Sequence, residues 1–171
     1  MKKLFVLLPF IVFAAISCQN KQLMTELDEL KAKADLEKQN VALVEKYIEA
    51  WNTKDLQLIY ELLDPQYKLH LPSINPTTMS NEQFKAWYES IYQAFPDVHY
   101  DIKEIFADGD KVCVQWVFTG THEGDFQGIP ATGSKIEVSA IEICMIKDGK
   151  IIEEKAETDS QGWIQQLGLQ P

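Results

Sequence analysis

Lys155, Glu157 and Asp159 fall at alternate positions in a strand-forming run near the end of the chain, so their side chains project to one face. If that face lines a cavity, the lysine holds both carboxylates ionised; if it faces solvent, the three form a charged surface. His122 ends another strand-forming run just before Gly124. An imidazole there can shuttle protons near neutral pH, or it can anchor the following loop through hydrogen bonds. His70 and His99 lie in strand-like segments without a recognisable partner and read as structural or exposed. Neither the histidines nor Cys18, Cys113 and Cys144 have metal-ligand spacing, so no metal is expected.

Aromatic residues supply the other candidate contacts. Phe84, Trp87, Tyr88, Ile91, Tyr92 and Phe95 recur at helical spacing and make one strongly apolar helix face. The face suits packing on a sheet, and Trp87, Tyr88 and Tyr92 are also candidates to reach a ligand, the tyrosines through their hydroxyls. Trp116 and Phe118 share a strand face with Val112 and Val114, a face that is either core or cavity wall.

The elements that must position these residues follow from periodicity and turn chemistry. Helices are predicted over residues 55–63, 80–94 and 161–167, the second opened by a capping box of Ser80 with Gln83. Strands are predicted over 67–71, 98–107, 111–122, 135–147 and 151–158. Asp108-Gly109 and Asp148-Gly149 mark tight hairpin turns between them. Helices first and strands later give an α+β fold, with an antiparallel sheet and the helices gathered on one side. Cys113 should lie near Ile143 or Cys144 across the sheet, and a one-residue change of register decides whether a disulfide with Cys144 can form. Ile141, Ile143 and Met145 share a strand face that needs a cover, and a homodimer is the expected one.

The amino end reads differently. Lys2 and Lys3 precede an apolar run from Leu4 to Ile16, too short to cross a membrane and suited to a secretion signal. Ala15-Ile16-Ser17-Cys18 resembles the lipobox of bacterial lipoproteins, which implies cleavage after residue 17 and lipid attachment at Cys18. The expected place is the cell envelope, facing the periplasm; Gln19, where an aspartate would favour inner-membrane retention, leans toward the outer membrane. Residues 18–40 hold neither glycine nor proline. Leu23, Leu27, Leu30 and Ala34 repeat there at helical spacing, so the segment reads as a helical tether to a domain over 41–171. Loss of Lys2 and Lys3 takes the formal charge from −10 to −12, and all sixteen basic residues are lysine. An acidic chain without arginine argues against nucleic-acid binding.

Four ordered pieces of the domain carry a resemblance. They are Phe95-Pro96-Asp97; Phe118-Thr119-Gly120-Thr121-His122 with Gly124; Phe126-Gln127-Gly128-Ile129-Pro130-Ala131-Thr132-Gly133; and Asp159 followed by Gln165-Gln166-Leu167-Gly168. Together they resemble the SnoaL-like polyketide cyclases and ester cyclases of the nuclear transport factor 2-like superfamily. The resemblance implies a cone of three or four helices on a curved antiparallel sheet, enclosing a cavity for a small apolar or aromatic molecule. It also implies an intramolecular aldol closure with no cofactor, in which an acidic residue near the end of the last strand is the general acid/base; the matching position is Asp159, with His122 assisting. One departure stands out. Relatives often carry His-Trp after the Gly-Lys-Ile turn, where this chain has Glu154 and Lys155, so a wall residue has become charged. The superfamily's epoxide hydrolases use an Asp-Arg-Asp arrangement that a chain without arginine cannot make. Its steroid isomerases pair a tyrosine with a protonated acid, a role open to Tyr47 or Tyr60 on suitable geometry. The expectation is therefore a lipid-anchored domain that is either a cofactor-independent cyclase or isomerase, or a non-catalytic lipoprotein that binds a ligand or a protein.

Overall fold

A computed structural model describes the backbone of residues 7–73 and 75–168, and the side chains of 20–73 and 78–168. The side chains of the expected signal segment and of Cys18 lie outside that range. Among the described residues, four helices and six strands follow in the order α1 (Leu7–Asn52), α2 (Leu56–Leu62), β1 (Leu63–Leu71), β2 (Asn75–Ser80), α3 (Asn81–Ala94), β3 (His99–Asp108), β4 (Lys111–Thr121), β5 (Lys135–Lys147), β6 (Lys150–Thr158) and α4 (Ser160–Gln166). The chain divides into two compact units between Leu36 and Glu37. In the first, Leu23, Leu27 and Leu30 are exposed. None of the described helices is long and apolar enough to cross a membrane.

The second unit holds one six-stranded sheet in the order β2-β1-β6-β5-β4-β3. Neighbours run antiparallel except β1 and β6, which pair in parallel with Leu69 opposite Glu154 and His70 opposite Lys155. Alternation fixes the two faces. In β5, Ile136, Val138, Ala140, Glu142, Cys144 and Ile146 are buried, while Glu137, Ser139, Ile141 and Ile143 are exposed. The buried face meets Val44, Tyr47 and Trp51 of α1, Ile59 of α2, and Phe84, Tyr88 and Ile91 of α3 in one core.

Local signals start the helices where the sequence places them. Asp55 caps α2 by accepting from the Leu58 N–H, and Ser80 opens α3 with a full capping box whose Gln83 side chain returns to the Ser80 N–H. Asp148 and Gly149 both take positive φ in the β5–β6 turn. β2 is an addition to the predicted elements, because Asn75 to Ser80 has neither a run of β-branched residues nor apolar alternation. Cys113 stands opposite Ile143, so Cys144 lies on the other face and both thiols are free. The register thus excludes a bridge between them.

Candidate functional site

Strand alternation and helix faces together leave a cavity of about 270 Å³ between the sheet and the helices. An apolar cavity of about 150 Å³ holds a benzene, so this one has room for a larger aromatic molecule. Its walls are mostly apolar, with aromatic residues from every layer. Tyr47 and Trp51 come from α1, Phe84 and Trp87 from α3, Tyr100 from β3, Trp116 and Phe118 from β4, and Trp163 from α4. The loop after β4 closes one side through Phe126 and Ile129, which bond each other's backbone across a tip where Gln127 and Gly128 take positive φ. Gly124 lets this loop approach α3. A Cβ there would sit 2.4 Å from the Gln93 carbonyl oxygen, and the Gly124 N–H donates to Ala94 O at 3.1 Å.

Two carboxylates lie in this apolar enclosure. Glu142 is opposite Ala156 and Glu154 is opposite Cys144, so the two are diagonal neighbours on the buried face of β5 and β6. Glu142, Cys144 and Glu154 each offer one donor atom within 4.8 Å of the others, the one such group among the described residues that could hold a metal ion. Sequence spacing gave no hint of it, because its members come from two strands brought together by register.

Hydrogen bonding treats the two carboxyls differently. Glu142 Oε2 accepts from Trp116 Nε1 at 3.1 Å and Oε1 from the Cys144 thiol at 3.1 Å, so both of its oxygens have a donor. Glu154 Oε2 accepts from the Tyr67 hydroxyl at 2.6 Å and more weakly from Tyr47 at 3.4 Å. Its Oε1 is buried with no partner. Burial pushes the Glu154 carboxyl well above the usual carboxylate range, the charge of Glu142 adds to this, and the two tyrosine hydroxyls oppose it. Burial also raises Glu142, against the donors from Cys144 and Trp116. Cys144 is raised by burial and then by the two glutamates, which keeps it a thiol.

The residues singled out from sequence divide between the cavity and its support. Trp87, Trp116 and Phe118 line it, and the Trp87 indole N–H is buried without a partner. Tyr88 and Tyr92 instead brace the helices behind the wall. The Tyr92 hydroxyl donates to Trp51 O at 2.7 Å and lies 2.6 Å from the Tyr88 hydroxyl, so each already has a protein partner. Asp159 lies outside the cavity wall. It is exposed, and it caps α4 by accepting from the Gly162 N–H at 2.8 Å, with Lys155 and Glu157 likewise on the solvent side. The alternation of β6 that turns these three outward turns Glu154 inward.

His122 is fully buried, but it is absent from the cavity wall. Its Nδ1 accepts from the Thr132 N–H at 3.3 Å and lies 3.1 Å from Thr132 Oγ1, its ring stacks on Phe95, and its backbone bonds Ser134 and Gly133. It anchors the loop that carries Phe126 and Ile129, and its Nε2 is buried without a partner. His70 does have partners, Thr78 Oγ1 at 3.0 Å and Glu153 at 3.2 Å. Glu142 went unremarked in the sequence, although a charged residue on the apolar side of an alternating strand is the signal that would have found it. Tyr60, one of two tyrosines considered for an oxyanion site, lies outside the cavity wall, whereas Tyr47 lines it with its hydroxyl turned to Glu154.

Comparison with known proteins agrees with this architecture. Over 131 residues the chain is 30% identical to aklanonic acid methyl ester cyclase DnrD of Streptomyces peucetius, covering 75% of this chain and 90% of that protein. It is 29% identical over 134 residues to aklanonic acid methyl ester cyclase DauD of Streptomyces sp. strain C5, covering 75% and 81%. Among solved structures, IdmH of Streptomyces antibioticus superposes with a TM-score of 0.67 at 28% identity, over 76% of this chain and 99% of that one. TsrD of Streptomyces laurentii does so with 0.67 at 28%, over 75% and 94%. The model of the SnoaL-like polyketide cyclase family matches residues 41–167. With that match spanning most of its length, the chain belongs to the SnoaL-like polyketide cyclase family.

Proposed function

We propose that the cavity takes a small, largely apolar or aromatic carbonyl compound and promotes a cofactor-independent cyclisation or isomerisation, with Glu154 as the acid that lends and recovers a proton. The observation that carries this reading is Glu154 Oε1, a buried carboxyl oxygen without a protein partner in a wall made largely of aromatic and aliphatic side chains. A carboxyl kept protonated by burial can donate to a carbonyl oxygen on which charge develops, and in a water-poor site that bond is strong. The unpartnered Trp87 N–H offers a second donor to an oxygen-bearing occupant. Two curated relatives are named for cyclising aklanonic acid methyl ester, which makes that compound the first probe.

The test compares the full chain with Glu154→Gln on that ester, following ring closure by chromatography and mass spectrometry and binding by quenching of tryptophan fluorescence. Turnover lost with binding retained supports the reading. Binding without turnover by either protein would favour a sequestering lipoprotein, and equal turnover by both would remove Glu154 from the chemistry.

The envelope setting is part of the same reading. The charged, apolar and lipobox segments in sequence support removal of residues 1–17, lipid on Cys18, and a domain held by the tether at the periplasmic side, on the outer membrane. Incorporation of labelled palmitate that is lost in Cys18→Ala checks the anchor. Exposed Phe106, Ile141 and Ile143 on the outer sheet face support pairing with a second copy, which light scattering would detect and Ile143→Lys would weaken.

A further inference from the structure

We propose that Glu142 and Glu154 hold one proton between them and act as a single base and acid pair on a substrate whose acidic C–H adjoins a carbonyl group. The proposal deepens the reading of the cavity as the substrate site, and it rests on that reading for the substrate class alone.

The geometry assigns the two roles. Both residues line the cavity, both are almost fully buried, and their nearest donor atoms lie within 4.8 Å. No lysine or histidine is among the described cavity-lining residues. Two like charges at that separation in such surroundings do not both persist, so one carboxyl keeps its proton. Glu142 is the ionised partner, because Trp116 and Cys144 supply a donor to each of its oxygens. Glu154 is the protonated one. Tyr67 and Tyr47 fill its Oε2, which leaves Oε1 to carry the hydrogen toward whatever occupies the cavity.

A base and an acid this close suit proton removal from a carbon next to the carbonyl that receives the second proton. The Glu142 carboxylate takes the proton from that carbon. The C–H pair becomes the carbon–carbon double bond, the carbonyl π pair moves onto oxygen, and oxygen takes the proton of Glu154. The products are the enol, a protonated Glu142 and an ionised Glu154, so the pair carries one negative charge before and after. Attack of the enol carbon on a second carbonyl of the same molecule then forms the new carbon–carbon bond. That carbonyl oxygen takes the proton from Glu142 as the enol O–H returns its own to Glu154. The sequence consumes no oxidant, reductant or co-reactant.

The pair is tested without a substrate by titrating the full chain labelled with carbon-13 at the glutamate side-chain carboxyl, with signals assigned through Glu142→Gln and Glu154→Gln. The expected result is one carboxyl still protonated at pH 7 and one ionised, with the Glu154 midpoint shifted to lower pH in Glu142→Gln. Two ionised carboxyls at pH 7 in the wild-type protein would overturn the proposal even if either variant failed to fold. So would a Glu154 midpoint unmoved by Glu142→Gln. A Co²⁺ titration that develops thiolate-to-metal absorption would likewise overturn it, by assigning Glu142, Cys144 and Glu154 to a cation. None of these outcomes depends on turnover of the ester, so failure of the pair and failure of the cavity reading remain distinguishable.

Discussion

Replacing Glu154 with glutamine should alter how stability depends on pH, in a direction set by the buried pair. Glu154 in the folded chain sits well above the usual carboxylate range, first through burial and then through the charge of Glu142. At 4.8 Å, and with an effective dielectric constant near 20, the repulsion between two ionised carboxylates is about 3.5 kcal/mol. A group raised on folding contributes its stabilisation in full below its unfolded pKa, about 4.3 for glutamate, and loses it as pH rises through the folded value. Over each pH unit in which the folded chain keeps a proton that the unfolded chain has released, stability falls by about 1.4 kcal/mol. Glutamine has nearly the shape of the acid, can still accept from Tyr67, and titrates nowhere, so the variant lacks that slope. Urea unfolding of both proteins from pH 5 to pH 9, followed by tryptophan fluorescence, should show the variant gaining on the wild type as pH rises. Asp97, Asp101 and Glu153 are shifted downward by Thr121, Lys103 and Lys155 respectively, and being common to both proteins they cancel in the difference. Parallel stability curves, or a variant that falls behind with rising pH, would refute the buried protonated carboxyl.

Other perturbations probe the supports of the site. Asp159→Asn should leave stability and turnover near wild type, because asparagine caps a helix as well as aspartate, while Asp159→Ala should cost about 1 kcal/mol in thermal unfolding without altering the pH dependence of turnover. Gly124→Ala should destabilise by about 1–3 kcal/mol, because its Cβ meets the Gln93 carbonyl oxygen at 2.4 Å, and should weaken binding of a cavity probe by shifting Phe126 and Ile129. Trp51→Ala, which removes a cavity wall and the surface against Tyr88, should lower stability by about 3–5 kcal/mol in denaturant titration. Thiol titration of denatured protein purified under oxidising conditions should find both Cys113 and Cys144 free.

The helices and five of the six strands among the described residues were legible because their signals are local. The Ser80 and Gln83 pair marks where α3 begins, and alternation along Lys135–Lys147 marks all of β5. The site was less legible, because it depends on which side of β6 faces inward. Glu154 and Lys155 were both visible as departures from the family's residues, and one step of alternation separates a buried acid from an exposed lysine paired with Glu153. Asp159 sits past the end of β6, where α4 starts and its N–H groups need an acceptor, so local capping claims its carboxylate. Glu142 was detectable in principle as a charge on an apolar face. Its nearness to Glu154 is set by the β5–β6 register, including an irregularity between Met145 and Ile146 that no local pattern announces.

The parallel pairing of β1 with β6 has a consequence for how the molecule comes together. β2 and β1 reach the rest of the sheet only through β6, which is the last strand made and lies between β1 and β5. Without that strand the sheet would divide into two ribbons, a short one of β1 and β2 and a longer one of β3, β4 and β5. Glu142 belongs to the longer ribbon and Tyr67 to the short one, and Glu154 is the residue that joins them. Such late, distant pairing is slow to form. A chain cut after the β5–β6 turn therefore loses the seam of the sheet and Glu154 together, so the buried pair of carboxyls exists only in molecules whose two halves have already been stitched.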